Sequence, residues 1–107
     1  MEATTRPEIP PGSLYMLILK TLARLGSMHG YGIAQHIDRC SHGVFQVEKG
    51  SLYPALERLL RNGLVTSKWA ETPTGRRAKY YTITASGRRA LGAEISAFQE
   101  LYAAIVA

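Results

Sequence analysis

Apolar positions along the chain fall into helical stripes broken once by alternation. Leu14, Leu17, Ile18, Leu22 and Leu25 recur at helical spacing. Tyr15, Met16 and Leu19 widen this stripe most of the way around the helix. A helix apolar on nearly all sides is buried on nearly all sides, so packing against both its own core and a second subunit is expected. Ser13 is the expected N-cap, and Gly26 fits a left-handed stop after Leu25. A second helix is expected near Tyr31 to Ser41, with Ile33, Ala34 and Ile37 inward, ended by His42-Gly43. Val44 to Val47 is a short β-prone piece. A third helix should run from around Glu48–Ser51 to Asn62, burying Leu52, Ala55, Leu56, Leu59 and Leu60, with Gly63 as its stop. Pro54 is tolerable only near the start of that helix. Leu64 to Ala70 and Ala78 to Ile83 read as strands joined by the turn-rich tip Glu71 to Arg77. Thr84-Ala85-Ser86-Gly87 leads into a last helix running to Ala107.

Helix, helix, helix, strand, loop, strand, helix is the winged helix-turn-helix order. The expected class is mainly α with a small β-hairpin, the wing, plus a C-terminal dimerisation helix. Residues 1–12, with Pro7, Pro10 and Pro11, read as a loose tail. Residues 13–84 read as the winged helix-turn-helix unit and 85–107 as the pairing helix. At 107 residues one domain is expected, large enough for a core without metal or disulfide. Cys40 is the single cysteine, so no internal disulfide can form. No apolar run approaches a membrane span, and Met1 to Gly12 lacks the apolar core of a signal peptide. A cytoplasmic protein is expected.

The charge is segregated. Residues 44–89 carry nine bases against three acids, whereas the rest carries four against five, for an overall charge of +5. Such a block is the footprint of a polyanion-binding surface, although a solvated basic face would read the same way. On a helical wheel, Leu52, Leu56 and Leu59 centre the buried face of the third helix, leaving Pro54, Arg58 and Arg61 opposite, flanked by Ser51 and Tyr53; Arg58 and Arg61 are expected DNA contacts, able to reach a backbone or a guanine edge. One α-helix fits the major groove, and its N-terminal residues meet base edges. Lys49, Ser51, Tyr53 and Pro54 lie at that end. Hydroxyls and free helix N-terminal N–H groups suit phosphate oxygens. Arg76, Arg77 and Lys79 cluster on the hairpin, where long cations can clamp phosphate or enter a minor groove.

These blocks resemble the PadR-like transcriptional regulators. The matching pieces are Gly12-Ser-Leu14, Ile18 to Leu22, His29-Gly-Tyr-Gly-Ile-Ala34, Gly50-Ser-Leu-Tyr-Pro-Ala-Leu56, Arg58-Leu59, Gly63-Leu-Val65, Trp69, Arg76-Arg-Ala-Lys-Tyr-Tyr81, Thr84 and Gly87. The resemblance covers nearly everything after residue 12. It implies a homodimeric winged-helix DNA binder, usually a repressor and often released by a small effector. It implies DNA contacts at Lys49, Ser51, Tyr53 and Pro54 and on the wing at Arg76, Arg77 and Lys79, with Tyr31 as a phosphate contact. Glu48 departs from the serine common at that position; an acid favours the helix dipole but repels phosphate. Trp69 is expected to support packing.

Leu91, Ile95, Phe98, Tyr102 and Ile105 are spaced four, three, four and three, the rhythm of a coiled-coil seam. This predicts pairing with the first helix of a partner, at Leu14 and Ile18. A two-fold dimer would set two recognition helices about 34–36 Å apart and require a palindromic operator. By resemblance to relatives that bind flat hydrophobic compounds between subunits, Phe98 and Tyr102 are candidate effector contacts. His36, Cys40 and His42 could form a metal-responsive site, but three ligands within seven positions is a thin constellation, and no metal or cofactor is expected. The plainer alternative is a half-buried cysteine beside solvent-facing histidines, with His29 capping or packing locally. No phosphate loop, serine elbow or paired carboxylates are present, so an enzyme is not expected. A winged helix used only for protein contacts is the remaining alternative.

Overall fold

The computed structural model describes residues 9–107. Four helices pack with a small antiparallel sheet, whose Val65, Tyr81 and Ile83 face is buried while Thr66, Lys68 and Thr82 on the other face are exposed. Helix α1 spans Pro11–Leu25, strand β1 Met28–His29, helix α2 Gly30–Cys40 and helix α3 Lys49–Arg61. Strands β2 (Val65–Glu71) and β3 (Arg77–Ile83) form the wing, and helix α4 spans Ala85–Val106. The sheet order is β1-β3-β2, with Trp69 opposite Lys79 and Met28 opposite Tyr81. The fold is the winged helix expected from the element order.

Helix α1 begins two residues before the expected cap. Pro10 is its N-cap, with no side-chain hydrogen bond, and Pro11 opens it, since proline lacks only an N–H that a first turn does not use. Of the expected loose tail, residues 1–8 lie outside the described residues; Ile9 already packs on the core. Strand β1 was not expected from two residues with no alternation to read; it pairs because β3 offers a free edge. Val44 to Val47 forms no strand: this segment has no neighbour to pair with.

Leu14, Ile18, Leu19 and Leu22 of α1 meet Ile33 and Ile37, Leu52, Leu56 and Leu59, and the sheet residues Val65, Tyr81 and Ile83 in one core. Helix α4 joins it only through Leu91, with Ile95 packed at its edge. Beyond Ile95 every residue of α4 is exposed. Its N-terminus is anchored: the Thr84 hydroxyl donates to the Gly63 carbonyl at 2.8 Å and accepts from the Gly87 N–H at 3.0 Å. No described helix is long and apolar enough to cross a membrane.

Candidate nucleic-acid interface

The start of α3 is built from α2. The His29 Nδ1 accepts from the Gly32 N–H at 3.1 Å, capping α2 as its position suggested. Gly30 follows, and a Cβ there would lie 2.9 Å from Tyr53 Cε1. A side chain at this position would push the Tyr53 ring off the α2 start. The contact brings that start, where Tyr31 is 64% exposed, beside the first turns of α3. Gln35 Nε2 donates to the Tyr31 hydroxyl at 3.1 Å. Glu48 precedes α3 in extended conformation, and its carbonyl accepts from Ser51 and Leu52. Lys49, Ser51, Tyr53 and Pro54 are all exposed on one end of the helix. Pro54 is the sixth residue of the helix and has no N–H for the Gly50 carbonyl.

Arg58 and Arg61 lie elsewhere. At 1.5 Å per residue, Arg61 is roughly 18 Å along α3 from Lys49. Arg58 borders a cleft of ≈ 240 Å³ against Tyr15, Met16 and Leu19 of α1 and Glu94 of α4. Both arginines are exposed, but the fold does not bring them to the Tyr31–Tyr53 end. A wheel gives the face of a helix, not the neighbour it points to.

The wing is held by its tip. The Thr72 N–H donates to the Arg76 carbonyl at 2.6 Å, the Gly75 N–H to the Thr72 carbonyl at 2.9 Å, and the Arg76 N–H to the Thr72 hydroxyl at 3.2 Å. Gly75 has φ +86°, a conformation that side chains disfavour. Arg76 and Arg77 leave this turn exposed, and Lys79 follows half-buried. Tyr81, two residues further on, is buried beneath α3. Burial pushes its phenol above the ordinary value of 10.0, and the charges of Glu57 and Tyr53 push the same way. Tyr81 thus locates the sheet face that looks at α3.

Trp69 does not support packing as expected: it is 58% exposed on the wing, with the Arg77 guanidinium carbon 6.0 Å from its ring centroid. The expected seam is also redistributed. Ile18 has no exposed surface, and Leu14 and Leu91 almost none, because all three fill the subunit's own core. They have no surface left to give a partner. Phe98, Tyr102 and Ile105 remain exposed, Ile95 half so. Cys40 is exposed rather than half-buried, its Sγ 3.1 Å from His36 Nε2; among the described residues no three His, Cys, Asp or Glu side chains converge.

The sequence profile of the transcriptional regulator PadR-like family matches residues 18–93. This chain is a PadR-like transcriptional regulator. The transcriptional regulator Rv3488 of Mycobacterium tuberculosis is 38% identical over 74 residues, covering 69% of this chain and 65% of that protein. A transcriptional regulator from Clostridium thermocellum has the same fold, with TM-score 0.80 and 26% identity over 88% of this chain and 90% of its own. Bacillus subtilis PadR, solved in complex with operator DNA, superposes with TM-score 0.69 at 28% identity, over 80% of this chain and 48% of its own. The PadR-like match spans α1 to the start of α4, so it takes in both the α2–α3 pair and the wing.

Proposed function

We propose that this PadR-like regulator is a cytoplasmic, DNA-binding repressor that grips a palindromic operator as a homodimer. The observation that carries the reading is the grouping of Tyr31, Lys49, Ser51, Tyr53 and Pro54 at one end of the α2–α3 pair, in a fold whose wing carries Arg76, Arg77 and Lys79. Operator DNA bound to the B. subtilis relative supports it. Phosphate contacts from the wing and Tyr31 set affinity, and side chains of α3 set sequence preference. Residues 13–84 form the DNA-reading unit. Residues 85–107 form the pairing helix, for which the exposed apolar end of α4 is the support. A flat hydrophobic effector held between subunits at Phe98 and Tyr102 would couple to DNA through the spacing of the two reading units. No catalysis is part of this reading.

Selection of bound sequences from a random duplex pool at physiological salt tests it. A palindromic consensus with half-sites about one turn apart is expected. A pool that is not enriched, or a single asymmetric site, overturns it. The pairing helix has its own test. Changing Phe98→Glu together with Ile105→Glu should give monomers by analytical sedimentation while leaving the core intact, because both residues are exposed. A dimer that survives both charges has its seam elsewhere.

A further inference from the structure

We propose that Trp69 is part of the DNA-gripping surface, holding Arg77 in place and laying its indole against the sugar–phosphate backbone of a duplex. This rests on the DNA-binding reading and adds a residue to it. Strand register supplies the geometry. Val65, Ser67, Trp69 and Glu71 of β2 stand opposite Ile83, Tyr81, Lys79 and Arg77 of β3, so all eight share one face of the hairpin. At its base this face is core, with Val65, Tyr81 and Ile83 buried. Tyr81 lies close enough to α3 to feel Glu57 and Tyr53. The next pair outward is Trp69 with Lys79, followed by Glu71 with Arg77. The wing therefore carries Trp69, Lys79 and Arg77 past the core on the side that α3 occupies. They look into the angle between wing and recognition helix.

The indole is 58% exposed at that place and stands beside two cations. Its neighbours define what covers it. Lys79 is directly across the strand pair and the Arg77 guanidinium sits over the ring, at the outer reach of a cation–π contact. An apolar partner protein would have to desolvate both cations, whereas a duplex backbone pairs them and presents deoxyribose edges to the ring. Resting on the indole also limits the rotamers of Arg77, so less freedom is lost when it meets phosphate.

Trp69 is the only tryptophan, so its emission reports on this site alone. The unmodified full chain is titrated with a fluorescein-labelled random-sequence duplex at low salt. Anisotropy of the label reads binding, and collisional quenching of Trp69 by acrylamide reads coverage. At saturation the quenching constant should fall severalfold. Trp69→Ala and Arg77→Ala should each weaken binding by about tenfold, with the double variant little worse than either single. Trp69→Phe should recover part of the loss, and all variants should melt like the parent because both side chains are exposed. DNA that binds while Trp69 stays fully quenchable overturns the assignment and leaves the functional reading standing; so does strict additivity of the two alanine variants. A duplex that does not bind the unmodified chain at all overturns the functional reading itself.

Discussion

Gly87→Ala lowers the unfolding free energy by about 3 kcal/mol, the largest stability loss expected from any single-methyl change in this chain. Two effects of opposite sign meet at this residue. Alanine is the better helix former by about 1 kcal/mol, and Gly87 lies within the first turn of α4. A Cβ there, however, would run into the Leu64 carbonyl oxygen and come 2.7 Å from Ile83 Cγ1. The first obstacle is backbone and cannot swing aside. Relief requires α4 to lift from the α3–β2 turn, which breaks the Thr84 hydrogen bonds to the Gly63 and Leu64 carbonyls. Steric cost therefore exceeds propensity gain. Domains of this size have about 5–15 kcal/mol in total, so the loss should be plain in a urea melt. Gly92 on the same helix is the matched control. A Cβ there meets nothing within 4 Å, and Gly92→Ala should stabilise by up to about 1 kcal/mol. Equal effects at the two positions would mean that α4 does not seat on the turn as described.

Replacing Arg76 and Arg77 with alanine should weaken duplex binding roughly a hundredfold per wing. Two charge-assisted hydrogen bonds at about 1.5 kcal/mol each set that scale. The loss should be alike for all sequences, because wing cations meet phosphate rather than base edges. The dependence of log affinity on log salt should flatten by roughly 0.9 for each phosphate contact removed. Folding should be unaffected: both side chains are exposed, and the tip is closed by backbone groups and the Thr72 hydroxyl. Lys49→Ala makes a useful contrast. At the N-terminal end of α3 it should change sequence preference as well as affinity. Unchanged binding and an unchanged salt slope in the double wing variant would remove the wing from the interface.

Much of the fold was legible because helical stripes and one alternating hairpin were long enough to read. The inward residues of α2 and α3, the stops at Gly26 and Gly63 and the two wing strands all follow from spacing within one element. What failed was short or relational. Strand β1 is two residues long and exists only because β3 had an edge to fill. Trp69 looked like a packing residue by type, yet the hairpin carries it beyond the core. The coiled-coil rhythm of α4 was real in spacing, but its first member, Leu91, serves the subunit's own core. Periodicity names the apolar face of a helix and is silent on which surface covers each turn.

The sequence by itself determined the order of the four helices and the two wing strands, the family and the placement of the positive charge in one block of chain. These depend on local spacing and on residue types that do not change with packing. The tertiary structure alone decided which charges stand together. It turned Arg58 toward the α1–α4 cleft, brought Tyr31 beside Tyr53 through the missing side chain of Gly30, and aligned Trp69 with Arg77 and Lys79 by strand register. Each of those neighbours is separated along the chain and joined only by burial of a shared core, which no linear pattern records.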